Sequence, residues 1–313
     1  MKLAYLFPGQ GSQSVGMGAS LYSSNPAAAQ VLDSADSMLS YKLTSYCFYG
    51  PEEKLRETNI TQVALFAVSV AALRAFDGAG LSAQATAGHS VGEYAALVAA
   101  GALDMQTGLS LVAERGELMR KAGAARPGTM AAVLGLGADD VREVCAQVTA
   151  DGNYVDIANM NGAGQVVISG EVDGVEKAAA PLKERGARKI IPLTVSGAFH
   201  SRLMQPAVHM MRGFLEQASI EKARIPVVAN VTADYECDAD LIRENLALQI
   251  ASPVRWEETI ERLLTDGFDT FVELGSGKVL TNILKRMSKD VTACNVEDAA
   301  TLTAALELIK TSA

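Results

Sequence analysis

The chain has 313 residues, 36 acidic against 27 basic side chains for a net charge of −9, and 49% hydrophobic residues. That size and composition bury a substantial core, which excludes a disordered tail and a disulfide-stapled miniprotein. The acidic balance, a pI near 5.0 and only 5% aromatic residues also exclude a basic, ring-bearing nucleic-acid surface and leave small molecules and proteins as partners.

In chain order, Leu3 to Phe7 predicts a buried strand that stops at Pro8, too short for the apolar core of an export signal. Residues 61 to 77 predict a strongly apolar helix, whose longest apolar run, Val63 to Leu73, falls short of the ~20 residues a membrane crossing needs. Ala85 to Ala87 predicts a second short strand, and 90 to 100 and 105 to 121 predict helices, so this part reads as a parallel α/β sheet. The pattern changes at Arg126-Pro127-Gly128. Strand Thr129–Leu134, helix Ala138–Thr149, strand Tyr154–Asn159, a turn at Asn161-Gly162, strand Gln165–Ser169, helix Val172–Arg185 and strand Arg188–Leu193 follow in the βαββαβ order of a ferredoxin-like unit. We therefore expect a large subdomain of residues 1–125 and 196–313 interrupted by a small one of residues 126–195. Short strands at Pro226 to Val231 and Thr270 to Leu274 complete the first sheet. Cys47, Cys145, Cys237 and Cys294 lie far apart with no metal-ligand spacing, and read as reduced thiols, mostly core. A soluble, cytoplasmic chain with no membrane or nucleic-acid partner is expected.

Two glycine-rich stretches invite a phosphate-binding reading and fail it. Gly9-Gln10-Gly11 has Ser14 where GxGxxG needs its third glycine, and Gly275-Ser276-Gly277-Lys278 has Val272 and Val279 at P-loop positions that need Gly and Ser or Thr. Gly88-His89-Ser90-Val91-Gly92 differs, because it follows a strand and precedes a helix-forming run, the context of a GxSxG nucleophile elbow. A chance match in a chain rich in Ala and Gly is the bland alternative. A serine hydroxyl needs a base, and the chain has three histidines. His89 adjoins the serine on a tight turn, where neighbouring side chains diverge, and reads as a support of the turn. His209 faces away from the stripe Ala207, Met211, Phe214, Leu215 and Ala218. His200 lies in a loop of small residues, Ser196 to Ser201, ahead of a helix starting near Pro206. From the residues alone it is either the base or a structural histidine.

Phe7-Pro8-Gly9-Gln10-Gly11-Ser12-Gln13, Thr61-Gln62, Gly88 to Tyr94, Arg115-Gly116, Gly197-Ala198-Phe199-His200-Ser201, and Gln249 followed by Ser252-Pro253-Val254-Arg255-Trp256 together resemble the malonyl-CoA:acyl carrier protein transacylases. The motifs span nearly the whole chain. The resemblance implies an α/β-hydrolase-like large subdomain with a ferredoxin-like small one, in agreement with the order read above. It further implies ping-pong transfer of a malonyl group from malonyl-CoA, through a Ser90 ester, to the phosphopantetheine thiol of acyl carrier protein in fatty acid biosynthesis, with no cofactor or metal. By the same resemblance His200 is the general base, the backbone N–H groups of Gln10 and Val91 form the oxyanion hole, and the Gln249 carbonyl orients the histidine. Phe199 and Gln62 belong to the substrate pocket. The chain departs from the family pattern at Val91 (usually Leu), Val63 (usually Pro) and Ser276 (usually Pro).

Arg115 interrupts the apolar stripe Gly108, Leu111, Val112, Met119 and Ala122 of its helix. A buried guanidinium needs an anion, and the residues leave open a protein carboxylate such as Glu93 or a ligand. The resemblance assigns it the free carboxylate of the malonyl group. An acidic carrier protein would meet this acidic chain at a local basic cluster, either Lys183, Arg185, Arg188 and Lys189 or Lys285, Arg286 and Lys289, each of which also reads as an ordinary solvated face. A monomer is expected. The competing readings are a serine hydrolase or thioesterase, which shares the elbow but for which no acid motif at a strand end is found, an acyltransferase serving a polyketide synthase, and a non-catalytic carrier-binding protein.

Overall fold

The computed structural model describes residues 1–78 and 80–312, with the backbone alone at Ser312. Strand β1 (Leu3–Phe7) is buried along its length. Its alternate residues serve two cores: Leu3, Tyr5 and Phe7 face one apolar cluster, and Ala4 and Leu6 face another. An all-apolar strand is what a central parallel strand covered on both sides requires. Helices α1 (Ala19–Ser24), α2 (Pro26–Met38), α3 (Leu43–Tyr49), α4 (Glu52–Leu55) and α5 (Thr58–Asp77) follow, then β2 (Ala85–Gly88), α6 (Gly92–Ala99) and α7 (Met105–Ala125). By length and apolarity α5 would suffice to cross a membrane, but 89% of that window is buried inside the fold.

The next segment builds its own sheet from β3 (Thr129–Leu134), α8 (Ala138–Ala150), β4 (Val155–Gly162), β5 (Gln165–Gly170), α9 (Val172–Glu184) and β6 (Lys189–Pro192). Its antiparallel order, β4-β5-β3-β6, is the ferredoxin-like arrangement anticipated from the element order. The hairpin departs from expectation. β4 runs on through Asn161 and Gly162, and the turn is Ala163-Gly164, both at positive φ (52° and 70°). Irregular register between Ile157 and Gly162 lets the strand continue while re-aiming its end.

The chain then returns through α10 (Gln205–Gln217), β7 (Val227–Val228), β8 (Tyr235–Glu236), α11 (Ala239–Gln249), α12 (Trp256–Thr265), β9 (Thr270–Leu274), α13 (Val279–Met287), β10 (Thr292–Val296) and α14 (Ala299–Ser312). The first sheet has the order β10-β9-β1-β2-β7-β8, parallel except for the antiparallel edge β8. Strand β7 is shorter than the expected Pro226 to Val231, because the chain leaves the sheet at Ala229 and Asn230. Strands β8 and β10 were not anticipated: one is two residues long, and the other, Thr-Ala-Cys-Asn-Val, is only partly buried. The two sheets meet where β4 lies beside Val254, with Met160 N–H donating to the Val254 carbonyl (2.9 Å) and Val254 N–H to that of Ala158 (2.8 Å). The C-terminal ends of β1 and β2 open toward this junction, the usual place for a site in an open parallel sheet.

Candidate active site

The Gly88 to Gly92 turn links β2 to α6, and Ser90 sits at its tip with φ 52°, a left-handed conformation that non-glycine residues hold only when their surroundings impose it. The glycines on either side follow from space: a Cβ on Gly88 would lie 2.0 Å from the Gly92 carbonyl, and one on Gly92 would lie 2.2 Å from the Phe7 oxygen. Side chains hold the Ser90 peptide from both ends. Asn230 Oδ1 accepts the Ser90 N–H at 2.7 Å while its Nδ2 donates to the Gly88 carbonyl at 2.6 Å, and Gln249 Nε2 donates to the Ser90 carbonyl at 2.9 Å. Helix α6 thus starts at Gly92, two residues later than the sequence pattern placed it.

His200 lies 110 residues from Ser90 in the chain, with Nε2 2.8 Å from Ser90 Oγ. Its Nδ1 faces two carbonyls, Gln249 at 2.9 Å and Ser252 at 3.1 Å. Carbonyls only accept, so the ring proton sits on Nδ1 and Nε2 is left to accept from the serine hydroxyl. Burial, and next the Arg115 charge, push the imidazole pKa down to about 3, which keeps the ring neutral. His89 supports the turn: its N–H donates to the Phe7 carbonyl at 2.9 Å and Nε2 meets Asn161 Oδ1 of β4 at 2.9 Å. His209 is exposed on α10.

Gln10 and Val91 line one cavity with Ser90. Neither backbone N–H is taken up by a partner among the described residues, and that of Val91 lies at the positive end of α6. Val91 in place of the more usual Leu keeps this donor. Ser276, in place of Pro, donates its hydroxyl to the Ser12 carbonyl at 2.8 Å and braces the same loop. Val63 is simply buried in α5. The Gly275 to Lys278 stretch is no phosphate cradle, since the Glu273 carboxylate already takes the Leu280 and Thr281 N–H groups at the start of α13.

Arg115 is fully buried, and three of its guanidinium N–H groups meet Gln62 Oε1 (2.5 Å), Gln249 Oε1 (2.7 Å) and Ser90 Oγ (3.0 Å). All three acceptors are neutral, and Nε has no acceptor among the described residues. Direct pairing with Glu93 is not what the fold provides. Gln249 stands between them, and its Nε2 donates to Glu93 Oε2 at 2.5 Å. Burial therefore lowers the guanidinium pKa, and only the more distant Tyr94 and Glu93 oppose it. Phe199, Met119, Met130 and Val195 supply apolar walls to the Ser90 cavity, which has a volume of about 80 Å³.

Gln10, His89, Asn159, Leu193 and Val195 also line a second cavity of about 300 Å³ between the 9–13 loop, the small sheet and α13. Gln165, Val279 and Ile283 are shared in turn with a groove of about 560 Å³ edged by Lys285, Arg286 and Lys289. The Ser90 cavity, the second cavity and the basic groove thus adjoin one another through shared lining residues. The alternative cluster lines none of these spaces, and its Arg185 is already paired with Asp140 and Glu143. Among the described residues no group of His, Cys, Asp or Glu is placed to hold a metal ion.

The fold brings together Ser90, His200, Gln10, Val91, Arg115, Gln249, Phe199 and Gln62, the residues that the sequence analysis assigned to the site. Sequence reasoning missed Asn230, the Ser252 carbonyl, Asn161, and the role of the Gln249 side chain beside its carbonyl. Nothing in the sequence marked Asn230, which falls inside the expected strand Pro226 to Val231.

Residues 4–310 match the family model described as the acyl transferase domain. The chain is 45% identical over 309 residues to the malonyl CoA-acyl carrier protein transacylase of Bacillus subtilis, covering 99% of this chain and 98% of that one. It is 39% identical over 296 residues to the Staphylococcus aureus (strain MRSA252) protein of the same name, covering 95% and 96%. Among solved structures, the acyl-carrier-protein S-malonyltransferase of Bartonella henselae superposes with a TM-score of 0.94 at 41% identity over 99% of this chain and 100% of that one. A malonyl-transacylase in complex with its type II PKS acyl-carrier protein superposes at 0.94 and 40% identity over 98% and 99%. With this coverage added to the elbow, the histidine and the buried arginine, the chain belongs to the malonyl CoA-acyl carrier protein transacylase family of acyl transferases.

Proposed function

We propose that this protein moves a malonyl group from malonyl-CoA to the phosphopantetheine thiol of an acyl carrier protein by a ping-pong route through Ser90. One observation carries the reading: Ser90 Oγ lies within hydrogen-bond reach of both a neutral histidine and a buried guanidinium that has no carboxylate of its own. In the first half-reaction Ser90 Oγ gives its proton to His200 Nε2 and attacks the thioester carbonyl. The Gln10 and Val91 N–H groups receive the developing oxyanion. Collapse breaks the C–S bond, and the leaving thiolate of coenzyme A takes the proton from His200. The carrier thiol then gives its proton to His200 and attacks the ester, and Ser90 Oγ recovers the proton as it leaves. Gln249 and Ser252 carbonyls hold the imidazole where a hydrolase would use an acid. Arg115, backed by Gln62, grips the malonyl carboxylate, and Phe199 bounds the pocket. No cofactor takes part.

The run of adjoining cavities toward the basic α13 groove supports entry of a long pantetheine arm, with the small subdomain of residues 126–195 on one side and residues 1–125 and 196–313 on the other. We propose a cytoplasmic monomer serving fatty acid biosynthesis, with no membrane or nucleic-acid partner. Service to a polyketide carrier is the second reading, favoured by the likeness to a transacylase bound to a type II PKS carrier.

Intact-mass analysis after incubation with malonyl-CoA tests the proposal. One malonyl increment is expected on the wild type and none on Ser90→Ala. An increment retained by the variant would refute the assignment. Rates with fatty acid and polyketide carrier proteins separate the two pathways.

A further inference from the structure

Beneath the nucleophile lies a buried carboxyl group to which the reaction as written gives no part. Glu93, on the first turn of α6, is fully buried. Its Oε2 accepts from Gln249 Nε2 and from the Asn230 N–H at 3.3 Å, and its Oε1 has no partner among the described residues. These contacts set a direction. A guanidinium can only donate, so Gln249 must turn Oε1 to Arg115. Its Nε2 then needs acceptors, and it finds the Ser90 carbonyl and Glu93. Without an acceptor at position 93, only the Ser90 carbonyl still holds Gln249 Nε2, the amide's resistance to flipping weakens, and a flipped amide would set donor against donor at Arg115.

We propose that Glu93 is a positioning residue for acyl selection: it fixes the orientation of the Gln249 amide, and through it the guanidinium edge that meets the acyl carboxylate. The proposal rests on the malonyl-transfer reading and adds the element that holds Arg115 in place. Burial and the charge of Glu236 on β8 raise the Glu93 pKa well above the usual carboxylate range, opposed by Gln249, Asn230 and Arg115. Tyr94 on the same helix also faces it, and its own pKa is raised. The shift favours the neutral carboxyl, whose Oε2 remains the acceptor Gln249 requires. Its ionisation at alkaline pH places a negative charge beneath Gln249, which competes with the substrate carboxylate for Arg115.

The test compares malonyl-CoA and acetyl-CoA as acyl donors to Ser90 in wild type, Glu93→Gln, Glu93→Ala and Arg115→Ala. Glu93→Gln keeps an acceptor and retains the malonyl preference. Glu93→Ala lowers the malonyl-to-acetyl ratio of kcat/KM by about 10–100-fold, the range for loss of the charge-assisted hydrogen bond that Arg115 donates to Gln249. A parallel loss for both acyl groups in Glu93→Ala, while Arg115→Ala still separates them, overturns this inference and leaves malonyl transfer standing. An Arg115→Ala protein that lowers both equally overturns the acyl-selection reading itself and this proposal with it. Should Glu93→Ala not fold, the pH profile decides: toward alkaline pH the KM for malonyl-CoA, and not that for acetyl-CoA, rises in the wild type and stays flat in Glu93→Gln. The same rise in both proteins overturns the proposal.

Discussion

Replacing Arg115 by alanine separates acyl selection from catalysis. The side chain is 0% exposed and donates to Gln62, Gln249 and Ser90, with no carboxylate partner. On the proposed reading, the malonyl carboxylate enters a cavity of about 80 Å³ and meets the guanidinium at low dielectric. Removing one member of such a buried pair costs about 3–5 kcal/mol, or on the order of 10²–10⁴ in kcat/KM. Acetyl-CoA lacks the carboxylate, and with the truncation it no longer meets an uncompensated cation, so its transfer is kept or increased. Stability moves little, because two opposed effects accompany the truncation. The Gln62 and Gln249 oxygens lose a donor at about 1–3 kcal/mol each, while a guanidinium no longer has to be desolvated. Initial rates of Ser90 acylation from each thioester, together with a melting curve, provide the assay. A parallel fall for malonyl and acetyl, or a variant that does not fold, would refute the reasoning and make Arg115 a structural brace of Gln62 and Gln249.

Other consequences are as direct. With the His200 pKa held near 3, the base stays neutral far below the ordinary histidine range, so the acid limb of kcat/KM for a phosphate-free malonyl thioester should lie well below pH 6.5; a midpoint near 6.5 would mean the imidazole is not desolvated as the fold implies. Charge reversal of Lys285, Arg286 and Lys289 at the edge of the α13 groove should raise the KM for carrier protein more than that for malonyl-CoA, and more than reversal of Lys183 and Lys189 does. Equal effects on both substrates, read from steady-state kinetics, would place docking elsewhere. Gly88→Ala should abolish folding or cost more than about 4 kcal/mol in chemical denaturation, since its Cβ would lie 2.0 Å from backbone with nothing flexible to yield. A stable, active Gly88→Ala protein would show that the elbow has more room than its geometry allows.

What the sequence by itself determined is what short-range patterns encode. The unbroken apolar run of β1 requires cover on both faces, the βαββαβ order specifies the small sheet, and glycines two before and two after Ser90 announce an elbow because their missing Cβ atoms are local necessities. With only three histidines, the base was within reach of elimination, and the family resemblance supplied its role. Other features depended on long-range contact. The two-residue strands β7 and β8 have too few side chains to show a period, and they exist because β2 offers an edge to β7 and β7 in turn offers one to β8. Asn230, 140 residues from Ser90, is an ordinary asparagine until the fold sets its amide against the Ser90 N–H. The charge on Arg115 posed the same limit: its sequence position showed that a cation interrupts an apolar face, but not which acceptor it meets. Only tertiary packing placed Gln249 between Arg115 and Glu93, leaving the guanidinium with neutral partners. Helical and strand periods record which face of an element is buried, whereas hydrogen-bond partners are chosen by which elements meet and at what distance.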